Sequence, residues 1–121
     1  MKKKTQLTDS IKQEYTIIYG NLWGDKMIKV VAKGYAQEDK VNEILEMCKE
    51  LIELTRKEEG CISYELCQDI NDSTILTFVE EWESKEALDK HMKTEHFTRI
   101  VPIKNKLMAK PTEINIYNKA I

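Results

Sequence analysis

The chain has 121 residues, enough for one compact domain with its own core and too few for two ordinary ones. Charged residues make up 33% and hydrophobic ones 41%, an ordinary globular balance, and the formal charge is −2. Residues 1–26 carry a small positive excess and the remainder is acidic, so there is no basic field for nucleic acid. No apolar run approaches the roughly 20 residues that cross a bilayer. Lys2, Lys3 and Lys4 precede polar residues rather than the apolar core of a signal peptide, so a cytoplasmic protein is expected.

Residues 1–26 read as an extension, either docked on a partner chain or partly disordered. Leu7, Ile11, Tyr15, Ile18 and Leu22 recur at helical spacing before Gly20, Asn21 and Gly24 interrupt them. Residues 27–121 then form the domain. Residues 28–35 are rich in β-branched side chains and predict a strand. Residues 38–57 predict a long helix with Val41, Ile44, Leu45, Cys48, Leu51, Ile52 and Thr55 on one stripe. Gly60 supplies the positive φ of its exit.

Residues 61–68 and 74–82 predict two strands joined by the turn-forming Gln68–Ser73 segment. Ser84 caps a helix over 85–93, and Thr94 caps another over 95–108, with Pro102 marking a kink or a start. Phe97, Ile100, Val101, Leu107 and Met108 form its buried face, and Pro111 precedes a last strand over 112–118. The order is β-α-β-β-α-β, an α+β ferredoxin-like unit. The strand over 74–82 is apolar on both faces, Ile75 and Val79 on one and Leu76, Phe78 and Trp82 on the other. A sheet covered by helices on one side leaves its second face wet unless something covers it, and a second copy of the chain is the simplest cover. A homodimer with the sheets face to face is expected.

Three cysteines, Cys48, Cys61 and Cys67, make neither a disulfide framework nor a Cys-x-x-Cys pair. Cys48 lies on the helical stripe as a buried, inert thiol. The four glycines fit no phosphate-binding loop. Both histidines, His91 and His96, fall in residues 80–97, and their spacing of five does not match the i, i+4 metal pair of one regular helix. No metal is expected. What remains is an apolar and aromatic set (Tyr64, Phe78, Trp82, Phe97) with Glu80, His91 and His96 as polar groups, a mixture that suits a flat organic ligand and proton transfer.

Gly60-Cys61-Ile62-Ser63-Tyr64, Glu80-Glu81-Trp82-Glu83-Ser84, Ala87-Leu88, His91 and Thr94-Glu95-His96-Phe97 together resemble the antibiotic biosynthesis monooxygenase family over about residues 27–118. The Glu-x-Trp-Glu-Ser text and the two histidines are most similar to its quinol monooxygenase-like subgroup. The resemblance implies a dimeric α/β-barrel of two ferredoxin-like units. It implies oxidation of a small quinol-like or phenolic aromatic by dioxygen without flavin, haem or metal. It assigns His91 as base or proton relay, Trp82 as pocket wall and N–H donor, and Glu80 as the group orienting a histidine or the substrate. His96 and Tyr64 are then further donors, and Phe78 and Phe97 line the cavity.

Two departures narrow the match. The polyketide quinone-forming members carry an Asn four residues before the Trp, where Phe78 stands. The haem-degrading members carry an Asn on the first strand and a His on the last helix, where Lys33 and Ile100 or Val101 stand. Two alternatives keep the fold. One is an isomerase of phosphorylated autoinducer sugars, with Lys33, Lys90 or Arg99 as phosphate ligand. The other is a non-catalytic dimer that binds a small apolar ligand.

Overall fold

A computed structural model describes residues 26–121. The expected order of elements is present, including the two successive helices after the third strand. The elements are β1 (Ile28–Ala36), α1 (Val41–Thr55), β2 (Cys61–Gln68), β3 (Ile75–Trp82), α2 (Lys85–His91), α3 (Glu95–Asn105) and β4 (Met108–Asn118). The strands make one sheet in the order β2-β3-β1-β4, and every neighbouring pair is antiparallel. This is the ferredoxin-like arrangement. The helical reading of residues 1–25 lies outside the described residues.

Pleating decides which side chains meet the helices. On β3, Leu76, Phe78, Glu80 and Trp82 are buried, while Val79 between them is exposed. On β1, Ile28 and Val30 are buried on the same side. The α1 stripe meets them with Ile44, Cys48, Leu51 and Thr55, all essentially without solvent contact. The core therefore lies on one face of the sheet. The opposite face presents Val31, Ile75 and Val79 among charged neighbours such as the Lys29–Glu81 ion pair, and none of these three apolar residues joins the core.

Helix boundaries follow local chemistry. Ser84 Oγ accepts from Ala87 N at 3.1 Å, and Thr94 Oγ1 accepts from Phe97 N at 3.3 Å, so both caps sit where the sequence places them. Pro102 lies inside α3, which continues through it.

The last two boundaries differ from expectation. The helix stops at Asn105 rather than 108, and β4 begins at Met108 rather than 112. Leu107 and Met108 are thus not on the helix. Pro111 is inside the strand, tolerated because β4 is an edge strand and its register with β1 shifts just there, between Lys33 and Tyr35. A proline read as a strand stop is only an interruption of one ladder.

Gly60 has φ of +90°, and a Cβ there would stand 2.6 Å from Cβ of Ala87. The turn from α1 to β2 therefore needs glycine for both its backbone and its close approach to α2. Gly60→Ala should lose about 2 kcal/mol or more of unfolding free energy in urea, from the left-handed backbone plus the clash. An unchanged midpoint would show that the turn relaxes freely.

Candidate functional site

Between the inner face of the sheet and α2 and α3 lies a cavity of about 630 Å3. Its apolar walls include Val30, Tyr64, Phe78, Leu88, Phe97 and Val101. Its polar lining includes Glu80, His91, Lys104 and Asn105. It opens along β4, where Ile114 and Ile116 face the helix side in register with Ala32 and Val30 yet remain 61% and 48% exposed. The size and lining suit a small organic molecule.

His91 ends α2 and is 1% exposed. Its ring lies 4.7 Å from that of Trp82 at a tilt of 36° and meets Tyr64 and Phe97 edge-on at 5.3 and 5.0 Å. Nδ1 lies 2.8 Å from Oε2 of Glu58, and Nε2 of His96 lies 2.5 Å from the same oxygen. With the carboxylate as acceptor, each of these nitrogens donates its hydrogen. The nitrogen left to His91 for a cavity ligand is Nε2, which in the neutral ring carries a lone pair. Burial pushes the His91 pKa down, while the Glu58 carboxylate pulls it up.

The spacing that denies the two histidines a shared helical face does not keep them apart. The chain breaks over Met92–Thr94, so His91 closes one helix and His96 opens the next, and both turn to Glu58. Glu58 sits just past α1 and reads in the sequence only as part of a helix end. A Glu two residues before the Gly60 turn is the signal that could have found it. Two imidazoles and a carboxylate are a ligand set that suits Zn2+ or Fe2+, and the three donor atoms lie within 4.8 Å of one another. The two nitrogens nevertheless sit at hydrogen-bonding distance from a single oxygen, and a cation at ~2.0–2.1 Å from each ligand would have to push them outward.

Glu80 occupies the cavity's β3 wall and accepts from Trp82 Nε1 at 2.8 Å. Burial pushes its pKa up to about 7, against the opposing pull of the Trp82 N–H and the Lys104 charge. Glu80 therefore orients Trp82, and the carboxylate that orients the histidines is Glu58. Trp82 is fully buried behind the lining, and its N–H is already engaged. Tyr64, Phe78 and Phe97 line the cavity as a group, with Tyr64 and Phe78 centroids 5.1 Å apart. Burial raises the Tyr64 hydroxyl far above its ordinary pKa, and Thr55 lies near enough to ease this slightly without forming a hydrogen bond of good geometry. His96 and Glu58 are both outside the lining, and His96 is linked to the cavity only through Glu58 and then His91.

Lys104 is the second residue the sequence reading missed. It is 8% exposed at the end of α3, with its ammonium 5.7 Å from the Phe78 ring centre. A lysine in a charged C-terminal helix reads as solvated, and nothing in the spacing marks it as interior. Cys48 and Cys61 have pKa values of about 11, raised chiefly by burial, which leaves both as inert thiols.

The sequence profile of the family described as antibiotic biosynthesis monooxygenase matches residues 27–102, and the chain belongs to that family. A crystal structure titled antibiotic biosynthesis monooxygenase is 34% identical, with a TM-score of 0.75 over 78% of this chain and 99% of that one. A conserved protein from Methanosarcina mazei is 45% identical, with a TM-score of 0.76 over 78% of this chain and 94% of its own. An uncharacterised protein of Synechocystis is 36% identical over 96 residues, 79% of this chain. The match spans 65% of that relative's length.

The raised pKa of Glu80 has a measurable consequence for stability. The folded state holds this proton more tightly than the unfolded chain, so its contribution is present at low pH and is lost as pH rises through about 7. Between pH 4.5 and 8, Glu80→Gln should gain about 2 to 3 kcal/mol relative to the parent in urea unfolding. A difference independent of pH would place Glu80 in contact with water.

Proposed function

We propose that this protein is a cofactor-independent monooxygenase acting on a small quinol-like or phenolic aromatic. The observation that carries the reading is His91 at the wall of a largely apolar cavity, held from behind by Glu58, in a chain of the monooxygenase family. His91 Nε2 takes the phenolic proton, and the imidazolium so formed is stabilised by the Glu58 carboxylate through Nδ1. The phenolate gives one electron to dioxygen, producing an aryloxyl radical and superoxide. Their recombination forms a ring C–O bond, and loss of the ring hydrogen with cleavage of the O–O bond releases water and leaves a quinone. Both atoms of dioxygen and both electron pairs are then accounted for without a further reductant. Burial keeps His91 neutral before the reaction, as a base must be, and the aromatic walls exclude bulk water.

Oxygen uptake with a panel of methylated hydroquinones and naphthols checks this. His91→Gln, which retains bulk, should lower kcat by about 100-fold or more. No uptake above buffer autoxidation in the parent, or equal rates in a folded variant, would sink the oxygenase.

The phosphosugar alternative finds less support. Arg99 is engaged by Glu50 and Glu95, and Lys33 and Lys90 are exposed outside the cavity lining.

The same proposal includes a homodimer. Val31, Ile75 and Val79 occupy the sheet face that no described helix covers, and a second copy buries them without a further element. Sedimentation at micromolar concentration should give twice the chain mass, and Val79→Lys should shift the equilibrium toward monomer. A parent that sediments as a monomer would remove the dimer.

A further inference from the structure

Among the described residues, the cavity holds a cation with no ion-pair partner. Lys104 is more than nine-tenths buried and lines the cavity. Among the described residues its ammonium makes no ion pair and no side-chain hydrogen bond; its close neighbour is the Phe78 ring. Glu80 feels its charge, but the Glu80 carboxylate is held by the Trp82 N–H. Lys110, the other cation of the lining, is exposed and lies 4.0 Å over the Tyr35 ring. The stem of Lys104 is buried while its ammonium keeps some solvent contact at the cavity, so an anion entering there meets a partly desolvated cation with no competing ion pair among the described residues. Desolvation by the α3 end and the aromatic wall also holds Lys104 below its usual pKa.

We propose that Lys104 is the anion anchor of the cavity, and that the ligand is a flat aromatic molecule carrying a carboxylate or an acidic phenolate. The anion pairs with the ammonium at the α3 side, and the ring lies along Phe78 and Tyr64. That position leaves His91 on the neighbouring wall to address a second hydroxyl of the same ring. The inference rests on the cavity being the substrate site of the proposed oxygenase, and it narrows the substrate to acids among the aromatics.

The test uses the full chain and two probes of one shape, 2-naphthoate and neutral 2-naphthylmethanol, measured by isothermal titration calorimetry. The parent should bind the carboxylate about tenfold tighter or better, since a charge-assisted bond in a dry site separates the two. Lys104→Met, which keeps the chain length and the apolar stem, should abolish that preference and leave the alcohol within about twofold. Lys104→Arg should retain the preference. No charge preference in the parent, or equal loss of both probes in Lys104→Met and Lys104→Gln, would overturn the anchor. The measurement involves no oxygen. A protein that binds 2-naphthoate through Lys104 but consumes no oxygen keeps the anchor and discards the oxygenase; one that turns over neutral quinols without charge preference does the reverse.

Discussion

Much of the site depends on one carboxylate oxygen. Glu58 Oε2 receives both histidines across sequence separations of 33 and 38 residues, and so ties the exit of α1 to the end of α2 and the start of α3. Each imidazole alone would be a costly group to bury, since removing a ring N–H from water without an acceptor is unfavourable. Sharing a charged acceptor offsets that cost twice. With Nδ1 engaged by Glu58, Nε2 is the His91 nitrogen without a hydrogen-bond partner among the described residues. Gly60 stands two residues beyond Glu58 and allows the chain to turn tightly against Ala87, which keeps the carboxylate beside α2.

The second constraint is the inner face of β3. Phe78, Glu80 and Trp82 alternate on one side of the strand, so a buried carboxyl lies between two aromatic rings. Burial raises its pKa, and the indole N–H restrains that rise. Trp82 in turn backs His91 at 4.7 Å. The wall behind the proposed base is thus a tilted indole whose N–H is held by Glu80. This is a structural role, and it explains why the Glu-x-Trp text is valuable even though the tryptophan does not reach the cavity. Lys104 approaches the same wall from α3, so a buried lysine and a buried carboxyl that feel each other's charge both line the aromatic cavity.

Local pattern was enough for most of the fold. The α1 stripe, the two caps at Ser84 and Thr94, the β2–β3 connection and the ferredoxin-like order all follow from periodicity and turn chemistry, which act over a few residues. The errors are also local in origin. Pro111 reads as a boundary because nothing in a single segment says that it will lie on an edge strand beside a register shift. His91 and His96 fall on two successive helices, as the caps at Ser84 and Thr94 imply, but nothing in either segment says that both rings turn to one distant carboxylate.

The amino-acid sequence by itself determined the class of fold, the two-faced apolar character of β3 and the stretch in which the rare side chains gather. Those properties depend on neighbours in the chain and on alternation within one strand. Only the tertiary structure decided that Glu58 holds both histidines, that Trp82 stands behind the cavity rather than in it, and that Lys104 turns inward. Each of these is a contact between elements, or a burial set by the whole packing, and the identity of a charged residue carries no mark of which neighbour will remove it from water.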